Sequence, residues 1–304
     1  MPTSALGLSS MWAIGRFQRL TDFIAAGRAM GFECFELNHK VSPELLSTLP
    51  RNQVHITSVH HPCPVLLPSH EVKARGLFIS STDEEKRRQA VNMLRHTLRT
   101  AAEVGARVVI VHAGQIDLGP ELEQELSHLY RAGLSGSPTF QEIQARLDSD
   151  HRARAPVHLE IARRSLHELL PDLERLGLCL GIEVRVHYNQ IPSRPEEAAY
   201  LLEGADPALL GYWHDTGHAE RLERLGFVPH VAWLEELHSR LAGVHFSDIQ
   251  GLRDHLAPGL GEIDFAGLAS WLPPHIIRTC EVQHWNSPQD VIAGVAHLRS
   301  TGCA

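Results

Sequence analysis

The feature that most constrains this chain is an alternation: eight short apolar runs, each followed by sequence of helical period. The runs lie near Ala5–Leu8, Cys34–Leu37, Val54–Val59, Val108–Val111, Leu178–Ile182, Leu209–Trp213, Gly243–Phe246 and Ile276–Cys280. Unbroken stretches such as Val108-Val109-Ile110-Val111 suit strands buried on both faces, as in a parallel sheet covered by helices. Three apolar stripes mark helices between them. Val91, Leu94, Leu98 and Ala101 follow Thr82 and Glu85, which have the spacing of a capping box. Leu159, Ala162, Leu166, Leu169, Leu173 and Leu176 form the second stripe, with Pro171 as a kink or restart. Leu234, Leu237 and Leu241 form the third.

No Pro/Gly/Ser linker divides the pattern, so it predicts one α/β domain over residues 1–304, a single (β/α)8 TIM barrel. A doubly wound open sheet is the structural alternative. The polar stretch from Gln115 to Pro156 follows the fourth run and predicts a helical insertion at the barrel mouth, where it covers the site and shapes substrate choice. With 43% hydrophobic and 21% charged residues, the composition excludes a disordered chain. The net charge of -8 argues against binding nucleic acid, because it repels phosphate backbones. No apolar run reaches the roughly 20 residues of a membrane span, and no basic segment with an apolar core opens the sequence. A cytoplasmic protein with no membrane partner is expected, and a homo-oligomer is left open. Cys34, Cys63, Cys179, Cys280 and Cys303 are widely spaced without a CxxC pair, which predicts reduced, mostly buried thiols.

The chain carries 21 histidines, and histidine serves metal binding and proton transfer near neutral pH. Polar residues recur where the runs end: Glu36, His60 with His61, His112, Glu183 with Arg185, Asp215 with His218, His245 with Asp248, and Glu281. In a barrel these ends share one face. Glu183, Asp215, His245 and Glu281 would gather three carboxylates and one imidazole, and like charges that close call for a divalent cation. Such an oxygen-rich set favours Mn2+, with Mg2+, Co2+ or Zn2+ as alternatives. His55 and His158 read as surface or satisfied histidines. Trp12, Tyr188, Trp213 and Trp285 fall near run ends as candidate pocket walls, with core or rim packing as the alternative.

The sequence resembles the xylose isomerase-like barrel superfamily, the sugar phosphate isomerase/epimerase group that also includes the apurinic/apyrimidinic endonucleases. The resemblance spans nearly the whole chain. It rests on Gly31-Phe32-Glu33-Cys34-Phe35-Glu36, Ser58-Val59-His60, His112, Gly181-Ile182-Glu183, Asp215-Thr216-Gly217-His218 and His245-Phe246-Ser247-Asp248. It continues through the segment from His255 to Asp264 and closes on Cys280-Glu281. The resemblance implies metal ligation by Glu183, Asp215, His245 and Glu281; His218 matches a position that contacts substrate oxygens in the isomerases and binds another metal in the endonucleases. His60 and His112 match further metal positions of the trinuclear endonucleases. Those endonucleases carry Asp two residues before the histidine that aligns with His255. Here that place is Arg253, which would oppose a third metal, and Asp254 would substitute only if the loop shifted.

The implied reaction is isomerisation or epimerisation of a ketose or related polyol through a metal-stabilised enediolate, with Glu183 and Glu281 exchanging protons with the carbon skeleton. His60, His112, Arg185, His218, Arg253 and His255 are then the candidate substrate-binding residues. A dehydratase or lyase acting on an inosose or 3-keto sugar uses the same enolate chemistry. An apurinic/apyrimidinic endonuclease and a non-catalytic sugar-binding barrel are the remaining alternatives.

Overall fold

A computed structural model describes residues 5–304. Eight parallel strands close into a barrel: β1 (Leu6–Ser9), β2 (Cys34–Leu37), β3 (His55–His60), β4 (Val108–Val111), β5 (Cys179–Glu183), β6 (Leu210–Asp215), β7 (Leu241–Phe246) and β8 (Ile277–Cys280). Each strand pairs with its neighbours in sequence, and β8 returns to β1 with Leu6 opposite Arg278 and Leu8 opposite Cys280. That closure excludes the open doubly wound sheet. Every apolar run became a strand because a strand buried on both faces cannot alternate polar and apolar positions.

Three local expectations need correction, and one, at Pro171, holds. The Glu84–Glu103 helix is capped by Asp83, whose side chain accepts from the backbone N–H of Glu85 and Lys86, so Thr82 is one residue too early. Leu241 opens β7, because the helix His230–Leu237 ends in a short 3-10 turn before it. The chain breaks at Leu169, between the helices Pro138–Glu168 and Leu170–Leu176, as Pro171 required. Pro156, by contrast, lies inside a continuous 31-residue helix. Buried histidines tie that helix down on both sides of the proline: His151 bonds Tyr188 O and Glu197, and His158 bonds Ser80 O. Those anchors offset the roughly 3 kcal/mol that an interior proline costs.

The barrel floor explains one aromatic. Trp213 packs with Val108, Ile110 and Ile277 inside the barrel. Its ring fills the space over Gly243, where an added Cβ would come within 2.2 Å of it. The ring meets His245 edge-on at 5.1 Å between centroids, so this tryptophan plugs the barrel and props the polar layer above.

Candidate metal centre

Glu183 and Asp215 are the last residues of β5 and β6, His245 lies near the end of β7, and Glu281 directly follows β8. Parallel register sets Asp215 beside His245. The four side chains are buried, and one ligand atom from each lies within 4.8 Å of the others. His245 Nδ1 is 2.8 Å from Glu183 Oε1, 3.1 Å from Glu281 Oε2 and 3.8 Å from Asp215 Oδ2. Its Nε2 donates to Glu36 Oε2 at 2.9 Å, and Ser58 Oγ donates to the same oxygen at 2.8 Å. A carboxylate behind a metal-facing imidazole fixes the ring and raises its basicity.

Without a cation, protons on the histidines and on Glu281 must balance these carboxylates, and two carboxylate oxygens still lack a hydrogen-bond partner. Asp215 Oδ1 accepts from the His218 backbone N–H and from Ser247, whereas its buried Oδ2 has no partner, and neither has Glu36 Oε1. An orphaned buried carboxylate oxygen facing an imidazole and two further carboxylates fits a divalent ion. Burial works to lower the His245 pKa, yet the charges of Glu281 and Glu36, with bonds to Glu183 and Glu36, hold it well above the ordinary value. Burial likewise raises Glu281, and Glu36 and Glu183 add to that against the pull of His245. Burial also favours the neutral form of Glu183, but bonds from His112, His245 and His60 overturn it and hold this carboxyl well below its usual range.

Two further groups flank this centre. Glu183 Oε2 accepts from His112 Nε2 at 2.7 Å and Arg185 Nη1 at 3.1 Å, with His60 Nε2 at 3.3 Å. On the other side His218, Asp254 and His255 bring ligand atoms together. His218 Nδ1 donates to Val184 O and His255 Nδ1 to Glu281 O, which leaves both Nε2 atoms free of those bonds. His255 has a φ of 56°, a strained backbone for a non-glycine residue of the kind that clusters at functional sites.

The structure places Arg253 outside this assembly. It is exposed, with its guanidinium over the Trp285 ring at 5.4 Å. Arg253–Leu256 is a strand, and successive side chains of a strand point to opposite faces, so Asp254 turns inward where Arg253 turns out. No loop shift is needed, and Arg253 is not among the residues that line the cavity. The aromatic walls are also corrected. Trp12 is buried with Nε1 donating to Asn286 O, Tyr188 stacks on Phe227, and Trp285 lies on the surface. The cavity over the centre holds about 280 Å3, and Met11, Leu77, Phe78 and Val186 supply its apolar wall.

Sequence reasoning missed His39 and Asn38. His39 lines the cavity with a buried, unpartnered Nδ1, 5.0 Å from the His60 ring between centroids. Asn38 donates to Glu281 Oε1 at 3.1 Å. Both follow Glu36 at the end of β2, and proximity to that strand end is the signal that would have found them. Asp248, which carried no ligand role, is structural. Its carboxylate accepts from the backbone N–H of Ile249, Gly259, Gly261 and Ile263 and so pins the loop beyond His255. Asp248→Asn turns an NH2 toward buried donors and is expected to cost about 2–3 kcal/mol, read as a lower midpoint in urea unfolding.

These strand ends, their order and the closed barrel decide the family. The chain belongs to the xylose isomerase-like TIM barrel family, whose model matches residues 24–301. No curated protein sequence matches it. Among solved structures, a D-tagatose 3-epimerase-like protein is 20% identical, with a TM-score of 0.64 over 98% of this chain and 96% of that one. The 3-keto-D-glucoside 4-epimerase of E. coli is 16% identical, with a TM-score of 0.65 over 97% and 99%. The IOLI protein, described with a bound zinc atom, is 12% identical with a TM-score of 0.65 over 98% of each chain. At such identities the likeness establishes the fold. Among the described residues no helix is long and apolar enough to cross a membrane, and none of the five cysteines is paired.

Proposed function

We propose that this protein is a divalent-metal-dependent isomerase or epimerase acting on a ketose or related polyol. The observation that carries the reading is the buried Glu183–Asp215–His245–Glu281 quartet, with its orphaned Asp215 oxygen, beneath a cavity of monosaccharide scale. The epimerase names of two of the structural neighbours support it. Glu183, Asp215, His245 and Glu281 would hold the ion, with Mn2+ the best match to three carboxylates and one imidazole. When bound, such an ion supplies Lewis acidity to a sugar carbonyl and so acidifies the neighbouring C–H bond.

The protein's own groups divide the remaining work. Glu281 lines the cavity without the His60, His112 and Arg185 bonds that tie Glu183, which makes it the better placed base of the two. Glu183, tied by His112, His60 and Arg185, is the stronger anchor, and a proton returned on the opposite side would reach it from His60, whose pKa is raised against burial by its carboxylate neighbours. Burial holds His218 below its ordinary pKa, so a neutral ring faces the cavity and orients a substrate hydroxyl. Arg185 and His255 line the same space and fix other oxygens.

One observation favours a second reading. With Asp254 turned inward, three adjoining donor groups exist, which suits a multinuclear phosphodiesterase of the endonuclease kind. Arg185 on Glu183 Oε2 opposes a cation between His60 and His112, and the net charge of -8 disfavours DNA. The deciding experiment incubates the Mn2+-loaded protein in D2O with ketoses, inososes and 3-keto sugars. It follows solvent exchange of the α-hydrogen, isomer formation, and loss of water or aglycone. Exchange with isomer formation is expected. Loss of water instead would identify the lyase alternative. Three metal ions per chain and cleavage of abasic-site DNA without C–H exchange would overturn the isomerase reading.

A further inference from the structure

Beside the reaction pocket lies a second cavity of about 440 Å3, and Lys73, Gln115 and Gln190 line both. The shared wall is a two-residue antiparallel ribbon, Gly114–Gln115 against Gln190–Ile191, formed by the segments that leave β4 and β5. Three cations face the second cavity: Lys73 from the helix Ser69–Arg75, Arg131 from Glu121–Arg131, and Arg221 from Thr216–Arg224. Glu123 is the one carboxylate among its lining residues, and it is fully engaged. Its Oε1 accepts from His187 at 2.8 Å and Arg221 at 3.2 Å, and its Oε2 accepts from the Tyr188 backbone N–H at 2.8 Å. Arg221 is spent in turn on Glu123, Ser127 and the carbonyls of Val186 and Leu252.

Lys73 and Arg131 have no such partner among the described residues. Both are solvent-exposed, and with Glu123 matched by Arg221 neither has a carboxylate among the described residues within ion-pair distance at the mouth of this concave, polar space on a chain whose net charge is -8. Gln124, Ser127 and Asn189 add polar side chains around them. Paired donors of this kind recognise phosphate or carboxylate oxygens. An acidic exterior discourages anions elsewhere, so the attraction is local to this cavity.

We propose that the second cavity binds an anionic substituent, a phosphate ester or a carboxylate, on the polyol whose other end reacts in the metal pocket. This rests on the isomerase or epimerase reading above. The substrate then spans the Gln115–Gln190 wall, its carbonyl end beside Glu183 and Glu281 and its anionic end between Lys73 and Arg131.

The test compares D-fructose, D-fructose 6-phosphate and D-fructuronate with Mn2+-loaded wild type, Lys73→Gln and Arg131→Gln. The wild type is expected to prefer one of the two anionic ketoses by about tenfold or more in kcat/KM, mainly through KM. The responding arm distinguishes phosphate from carboxylate. Each variant is expected to lose most of that preference, and added salt to erode it. Equal kcat/KM for neutral and anionic ketoses in the wild type, or a preference that survives in both variants, overturns the proposal. Calorimetric titration with D-sorbitol 6-phosphate against D-sorbitol separates this from the activity. Tighter binding of the phosphate that depends on Arg131, with no ketose undergoing proton exchange, supports the anion subsite and overturns the isomerase reading. Equal binding of the two polyols, with D-gluconate binding no tighter than either, overturns the subsite.

Discussion

Glu281→Gln is expected to lower kcat by roughly 10²–10⁴-fold in metal-loaded protein while leaving the barrel folded. The amide keeps an oxygen where the carboxylate has one, so metal binding weakens without being abolished. Glu281 sits immediately after β8 with Asn38 donating to Oε1 and His245 near Oε2, an arrangement that a glutamine fills without changing volume. What the substitution removes is the base. Loss of α-hydrogen exchange in D2O, unchanged circular dichroism and a metal titration showing one weakened site are the three readouts. Full turnover in metal-loaded Glu281→Gln would show that this carboxylate only holds the ion.

Stripping the metal with a chelator is expected to destabilise the protein by about 4 kcal/mol relative to free metal at a thousand times its Kd, or roughly 6 °C in Tm. The loss depends on pH in a direction that the site dictates. His245 and His60 have raised pKa values in the folded chain, against burial, because of the carboxylates around them. Their contribution is complete below the ordinary histidine value of about 6.5 and is lost as pH rises through the raised values. Glu281 is also raised, so its charging penalty likewise grows with pH. Glu183 and Glu36 are lowered despite burial, through their histidine partners, and their contribution disappears only in acid. Burial holds His39, His61, His112, His214 and His218 below the ordinary value, so their contribution is lost as pH falls below about 6.5, and metal-free protein is expected to be most stable near pH 6.5 and to lose stability toward both pH 5 and pH 8. Metal-loaded protein does not show that alkaline loss, because the cation replaces the protons. Melting curves at several pH values, with and without Mn2+, check this. A chelated protein that melts unchanged at every pH would mean that the quartet holds no structural cation.

The sequence alone determined the barrel and the rim of its site. Strands buried on both faces must be continuous apolar runs, so all eight were visible, and a charged residue ending such a run is conspicuous because it is costly to bury. Glu183, Asp215, His245 and Glu281 stood out for that reason. Only the tertiary structure decided which neighbours each residue meets. Glu36 supports His245 from 209 positions away, a pairing that barrel closure alone creates. Arg253 and Asp254 exchange their expected places because strand side chains alternate faces, and a one-residue difference in phase is invisible in composition. Trp213 became a barrel plug because Gly181 and Gly243, on the two strands flanking its own, leave room for its ring. That Lys73 and Arg131 line one cavity without an ion-pair partner among the described residues also emerges only in three dimensions, once Glu123 is found bound to Arg221 instead. Periodicity and burial cost act along the chain and can be read there, whereas side-chain direction and charge pairing depend on residues that folding brings together from afar.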